Sequence, residues 1–197
     1  QLEISLHLTE YSKINLQGIN ENIKSIKYGE NLTTINPFNK KYGSYNYSVI
    51  DHVFIPLSIT TIGENAFSHF FRLEQINIPS SVTKIDKNAF ADCCNLTKIN
   101  IPKSVNSIDA AAFYNCIQLK QIDIPDSVTF LGCQCFSQCF SLIQVSLPSS
   151  IDEILPGTFF CCVSLKKIVI PPSVTFIDDY AFRNCRLLEE VTNLTDK

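Results

Sequence analysis

The chain has little of what marks the alternatives to an ordinary folded domain. Glycine (6) and proline (9) are few among 197 residues, which excludes a collagenous or low-complexity polypeptide, and 45% apolar against 18% charged residues excludes intrinsic disorder. Basic side chains are not in excess: 16 Lys and Arg against 19 Asp and Glu leave a net charge of −3, the wrong balance for a protein that works on phosphate backbones. No apolar run approaches the roughly 18 to 20 residues needed to cross a bilayer, and Gln1 to Glu10 lacks a basic region followed by a small-residue cleavage site. Neither nucleic-acid binding nor membrane insertion is expected. Met is absent altogether, which with Gln at position 1 is expected of a piece of a longer polypeptide or a processed product. Catalytic motifs are missing too. The three histidines, His7, His52 and His69, have no recurring Ser, Cys or acidic partner, and no P-loop, HExxH or EF-hand loop occurs. The expectation is a protein with no catalytic residues, no metal and no cofactor.

What the chain has instead is a period. Ile55-Pro56, Ile78-Pro79, Ile101-Pro102, Ile124-Pro125, Leu147-Pro148 and Ile170-Pro171 are spaced by a constant 23 residues. On that frame one unit reads Leu73, Ile76, Ile78, Pro79, Ser81, Val82, Ile85, Ala89, Phe90, Cys93, and the next Leu96, Ile99, Ile101, Pro102, Ser104, Val105, Ile108, Ala112, Phe113, Cys116. Ile76 and Ile78 alternate with Gln75 and Asn77, the period of a short half-buried strand. Pro79 ends it, having no N–H to donate, and Ser81 suits the turn that follows. Asp86, Asp109 or Asp178, or Gly63 or Gly132, then precedes the Ala-Phe pair in the manner of a helix N-cap, while Leu155 in that column is followed by Pro156, which suits a first helical position. Each unit is predicted to be strand, turn and a helix of one or two turns. A unit of this size cannot bury its own apolar side, so neighbours must stack with their strands parallel, giving an α/β solenoid.

The array runs over residues 50–197, in units starting at 50, 73, 96, 119, 142, 165 and 188. Residues 23–49 read as a stretched unit of 27, because Ile23, Ile26, Tyr28, Leu32 and Ile35 keep the spacing of Leu73, Ile76, Ile78, Val82 and Ile85. Its extra length is a polar loop, Pro37 to Tyr47, that replaces the Ala-Phe helix and is Tyr-rich at 42–47. Residues 1–22 are expected to form an N-terminal cap or hairpin, from Ile4, Leu6 and Leu8 against Ile14 and Leu16. Eight strands spaced by about 4.8 Å make a sheet about 34 Å long. No cap is legible after Leu188 and Val191, so the open edge is expected to meet further repeats, a shielding tail or another copy end to end.

The unit Leu-x-x-Ile-x-Ile-Pro-x-Ser-Val-x-x-Ile-x-x-x-Ala-Phe-x-x-Cys resembles the 23-residue leucine-rich repeat of BspA-like proteins, over residues 50–197. Phe70 in place of the column's Cys, and Cys135 and Thr158 in place of Ala, are its departures. The resemblance implies a leucine-rich-repeat arc with a parallel sheet on the concave face and short helices on the convex face. It also implies a surface that holds other proteins, host or matrix proteins included, and no catalytic residues.

In an in-register stack, like positions are lateral neighbours. The outward strand columns are Asp51, Glu74, Thr97, Lys120, Ile143, Lys166, Glu189; His52, Gln75, Lys98, Gln121, Gln144, Lys167, Glu190; and Phe54, Asn77, Asn100, Asp123, Ser146, Val169, Thr192. These vary while the inward columns repeat. Lys166 should lie beside Glu189 and Lys167 beside Glu190, partly answering those charges, whereas Lys98 and Lys120 have no acidic lateral neighbour. The predicted contacts to a protein partner are Lys98, Lys120, Gln121, Asp123, Ile143, Gln144, Lys166, Lys167 and Val169. A solvated face that binds nothing is the competing explanation. Of the nine cysteines, Cys93, Cys116, Cys139, Cys162 and Cys185 share one column beneath the Phe column. They read as small buried hydrophobes suited to a reducing compartment, against a disulfide ladder or a soft-metal cluster of Cys133, Cys135 and Cys139 with Cys116, Cys161 and Cys162. Cys133 and Cys161 occupy polar columns and are the expected reactive thiols. The sequons at Asn31, Asn46, Asn95 and Asn193 are too few above chance to establish secretion and leave the compartment open.

Overall fold

A computed structural model of the chain describes residues 4–8, 23–37 and 50–193, and in it positions 23 apart do lie side by side. Gln75, Ile76 and Asn77 pair in parallel with Lys98, Ile99 and Asn100; Gln121–Asp123 pairs with Gln144–Ser146 and Lys167–Ile170 with Glu190–Asn193 in the same register. At the N-terminal end the offset becomes 27, with Ser25, Ile26 and Lys27 facing His52, Val53 and Phe54. Ile4–Leu8 is a further parallel rung beside Ile23–Tyr28, so among the described residues this side carries nine rungs where eight were expected. Ile14 and Leu16, the other arm of the expected hairpin, and the Tyr-rich loop at 42–47 lie outside the described residues. The rungs do not form one unbroken ladder: His52–Phe54 and Gln75–Asn77, Lys98–Asn100 and Gln121–Asp123, and Gln144–Ser146 and Lys167–Ile170 adjoin without ladder pairing.

A second parallel ladder runs where the sequence pattern predicts only a turn. Thr34–Ile35, Thr61–Ile62, Lys84–Ile85, Ser107–Ile108 and Phe130–Leu131 form one five-stranded sheet, and Glu153–Ile154 pairs with Phe176–Ile177. Between the two ladders the chain turns tightly, the carbonyl of the strand-ending proline accepting the amide three residues on, as in Val82 N to Pro79 O at 3.1 Å and Val128 N to Pro125 O at 2.9 Å.

The third side corrects the expected short helices: among the described residues there are none. Two features of the Ala-Phe segment exclude them. Asn88 and Asp92 have φ of 55° and 61°, and the same columns hold Asn65, Ala111, Gln134 and Gly157, then His69, Asn115, Gln138, Cys161 and Asn184, all with positive φ. A right-handed helix cannot continue through such residues. Alternate amides moreover bond to the next unit, Asn88 N to Ala110 O at 3.0 Å, Phe90 N to Ala112 O at 2.8 Å and Asp92 N to Tyr114 O at 2.8 Å, while those between them close local turns, Ala89 N to Asp86 O and Ala91 N to Asn88 O. An α-helix is about 10 Å across, twice the rung spacing of about 4.8 Å, so a flat run of turns stacks on every rung where a helix would not. The expected caps are turn residues instead: Asp109 Oδ1 accepts Ala110 N at 2.6 Å and Asp178 Oδ1 accepts Tyr180 N at 2.9 Å, whereas Asp86 pairs with Lys84.

Inside the coil, each inward column is a file of like side chains. Phe67, Phe90, Phe113, Phe136, Phe159 and Phe182 stack face to face with centroids 5.3 to 5.6 Å apart. Val82, Ile85, Leu96 and their equivalents through the middle of the array are almost fully buried. Polar columns bind rung to rung. Ser81, Ser104, Ser127 and Ser150 donate through Oγ to the carbonyls of Ile59, Val82, Val105 and Val128 in the preceding unit at 2.6 to 2.7 Å. The thiols of Cys93, Cys116, Cys139, Cys162 and Cys185 donate to the carbonyls of Phe67, Phe90, Phe113, Phe136 and Phe159 at 3.0 to 3.3 Å. The small residue under the Phe file is therefore a donor as well as a filler, which accounts for a repeated cysteine where alanine would fit.

Candidate protein-interaction face

Strands of three residues with an exposed, buried, exposed pattern put two side chains of every rung into solvent, and the residue before the strand adds a third. Lys98, Lys120, Gln121, Asp123, Ile143, Gln144, Lys166, Lys167 and Val169 are all exposed on this side. Ile143 and Val169 leave 49% and 44% of their surface to water, an apolar exposure that their polar surroundings do not require.

Four of these residues line two depressions. Lys98 lines one with His52, Phe54, Gln75, Asn77 and Asn100. Lys120, Ile143 and Lys166 line the other with Ser141, Ser164 and Leu187. Gln121, Asp123, Gln144, Lys167 and Val169 stand on the same face but line neither. A third hollow, at the N-terminal side, is walled by Asp51, His52, Arg72, Glu74, Gln75 and Asn95, with the Arg72 guanidinium Nε 2.9 Å from Asp51 Oδ1. Sequence reasoning missed Arg72, Asn95, Ser141, Ser164 and Leu187. They belong to a fourth outward column three residues before the strand, at the same interval of 23, so the period itself contained the signal.

The charge pairing also differs from expectation. Lys167 faces Glu190 in the ladder and Glu189 N donates to Lys166 O at 2.9 Å. Yet the ion pairs within 4.0 Å among the described residues are His69–Asp92, Arg72–Asp51 and Lys84–Asp86. Register brings the backbones together, while long, solvated Lys and Glu side chains gain too little from an exposed pair to be held in one geometry. Four lysines of the face, at 98, 120, 166 and 167, are thus without a carboxylate partner among the described residues.

The cysteines form no site of their own. All nine are free thiols. Burial is the largest cause in each case and pushes Cys139 up to about 12 and Cys185 up to about 11, with Cys93, Cys116, Cys135 and Cys162 also held well above the ordinary thiol range. Such groups stay protonated and donate hydrogen bonds; a thiolate would be needed to bind a metal or attack an electrophile. Among the described residues no group of three or more His, Cys, Asp or Glu gathers for a metal. Cys133 is exposed and Cys161 half-buried, the latter accepting Asn184 Nδ2 at 3.4 Å. His52 lies on the strand face and His69 on the turn side, its Nδ1 3.3 Å from Asp92 Oδ2. No helix of the described residues is long and apolar enough to cross a membrane.

A family model for the BspA type leucine rich repeat region matches in six copies, over residues 2–97 and 84–195. No curated protein matches the chain. Among solved structures it is similar to a leucine-rich repeat protein of Bacteroides ovatus, 33% identical over 94% of this chain and 45% of that one, with a TM-score of 0.72. It is similar also to the leucine rich repeat protein of T. pallidum, 35% identical over 69% of this chain and 64% of that one, with a TM-score of 0.67. A leucine rich cell surface protein of Faecalibacterium prausnitzii is 26% identical over 88% of this chain and 60% of that one, with a TM-score of 0.51. The chain spans about half the length of the Bacteroides ovatus protein and under two thirds of the other two.

Proposed function

Because the chain belongs to the BspA-type leucine-rich repeat family, we propose that it is a non-catalytic recognition module that holds a partner protein on the strand face, through Lys98, Lys120, Gln121, Asp123, Ile143, Gln144, Lys166, Lys167 and Val169. One observation carries the reading: the outward columns are exposed and vary in residue type along the stack, while the inward columns are buried and alike. Stacking alone would be served by any polar lining; lysines left without ion pairs beside exposed Ile143 and Val169 make a surface with chemistry of its own. The test is affinity capture by the purified chain against Lys98→Glu with Lys120→Glu. Capture should fall at least about tenfold, while the melting temperature stays within about 1 °C because both side chains are exposed and unpaired. Equal capture by wild type and variant would reject the reading.

A second reading, a structural or adhesive segment of a longer cell-surface protein, is favoured by the likeness to the Faecalibacterium prausnitzii protein. In that case contacts come from the Tyr-rich segment at 42–47 or from the chain ends. Deleting 42–47 abolishes capture if that segment makes the contacts and leaves it intact under the first reading.

A further inference from the structure

We infer that the partner presents an acidic segment carrying an apolar side chain between carboxylates, and that it seats where Lys120 and Lys166 flank Ile143. This rests on the recognition reading above and gives its partner a chemistry. The three residues occupy one column on successive rungs, Ile143 N donating to Lys120 O at 2.8 Å, and they line one depression with Ser141, Ser164 and Leu187. Two rungs separate the lysines, about 10 Å, which is about three residues of extended chain. The flexible lysine stems absorb the remaining mismatch. Ile143 and Leu187, 49% and 47% exposed, supply the apolar floor and wall.

Charge sets both the sign and the extent of the occupant. From residue 96 to residue 170 the strand columns carry Lys98, Lys120, Lys166 and Lys167 against Asp123 alone, in a chain whose net charge is −3. Beyond that stretch Glu189 and Glu190 follow on the next rung, and Glu74 precedes it. An acidic segment is thus attracted to the middle of the face and repelled at either end, which fixes its register along the stack. A sulfated polysaccharide would use the lysines but would gain nothing by covering Ile143 and Leu187, so a polypeptide is the occupant the surface fits.

The test uses a fluorescein-labelled peptide of alternating Glu and Leu, with an all-Glu peptide, an alternating Lys and Leu peptide and a heparin fragment as comparators, followed by anisotropy. The Glu/Leu peptide should bind most tightly and weaken as salt rises from about 50 to about 200 mM. Lys120→Gln with Lys166→Gln should weaken it at least about tenfold. Ile143→Ser should weaken it about fivefold and leave the all-Glu peptide unchanged. The inference is overturned if the Lys/Leu peptide binds as well, or if heparin binds more tightly and is indifferent to Ile143→Ser. It is likewise overturned if a partner captured by the wild type is lost with Lys98→Glu and Lys120→Glu while the Glu/Leu peptide does not bind at all, an outcome that leaves the strand-face reading standing.

Discussion

The middle turns and the last turn are built from the same columns, yet they are not equally finished. Ile154 is 2% exposed and its successor Ile177 is 40% exposed; Phe159 and Cys162 are buried, Phe182 and Cys185 only partly so. Nothing in the residue types explains this. Each unit is covered by the one that follows, so burial belongs to the neighbour pair and not to the unit, as the nearest-neighbour energetics of repeat proteins require. Identical substitutions in the two places should therefore have different costs. The largest difference is expected in the Phe file. Phe113 stacks on both sides, 5.3 Å from Phe90 and 5.5 Å from Phe136, while among the described residues Phe182 stacks on Phe159 alone. Phe113→Ala should cost about 3 to 5 kcal/mol in denaturant unfolding, and Phe182→Ala less than half of that. Equal losses would mean that the end of the coil is covered as fully as its middle.

The cysteine file sharpens the same contrast through pH. A folded thiol pushed above its ordinary value of 9.0 favours the native state fully below that value. Above it the unfolded chain ionises first, so stability falls as pH rises until the native thiol titrates as well. For Cys139 that window runs from about 9 to about 12, and for Cys185 from about 9 to about 11. Each thiol contributes a slope of up to about 1.4 kcal/mol per pH unit. Replacing Cys139 by Ala should remove more of the alkaline destabilisation between pH 9 and 11 than replacing Cys185, measured as the change in unfolding midpoint relative to wild type. A slope unaltered by either replacement would show that the thiols do not keep their protons through burial.

How far such contrasts were visible in the sequence depends on what each residue answers to. The period of 23 predicts the pairing of Ile76 with Ile99 and the Phe file, because a hydrophobe at a constant interval has one way to be buried in a stack. The helices were misread at Asn88 and Asp92. Asn recurs at those two columns, at 65, 88, 115 and 184, with Asp92, Gly157 and His69 beside it, and these are the residue types that take positive φ most readily, so the signal was present but the Ala-Phe spacing outweighed it. Ladders of two residues such as Lys84–Ile85 are too short to announce a period. On the strand face the exposed residues were legible as a set, since register places them. Which of them line a hollow was not, because that depends on Leu187 and Ser164, which keep the interval of 23 but lie ahead of the strand, where no alternation marks them as facing out. Lys167 opposite Glu190 shows the limit of register: it fixes the distance between backbones and leaves two solvated side chains free to point elsewhere.

The smallest expected difference is in the serine file, and it isolates the neighbour effect from hydrophobic area. Ser104 Oγ donates to Val82 O at 2.6 Å, whereas Ser173 Oγ is buried with no hydrogen-bond partner. The two hydroxyls sit at equivalent places in their units, so intrinsic propensity and side-chain entropy are the same for both. Removing the first leaves a carbonyl of the preceding unit short of a donor and should cost about 1 kcal/mol. Removing the second relieves a buried hydroxyl of an unmet bond, so Ser173→Ala should be neutral or slightly stabilising. Chemical unfolding of the two single variants resolves the difference. If Ser173→Ala costs as much as Ser104→Ala, the hydroxyl acts within its own turn, and the rung-to-rung bonding assigned to this column is not what holds the stack in register.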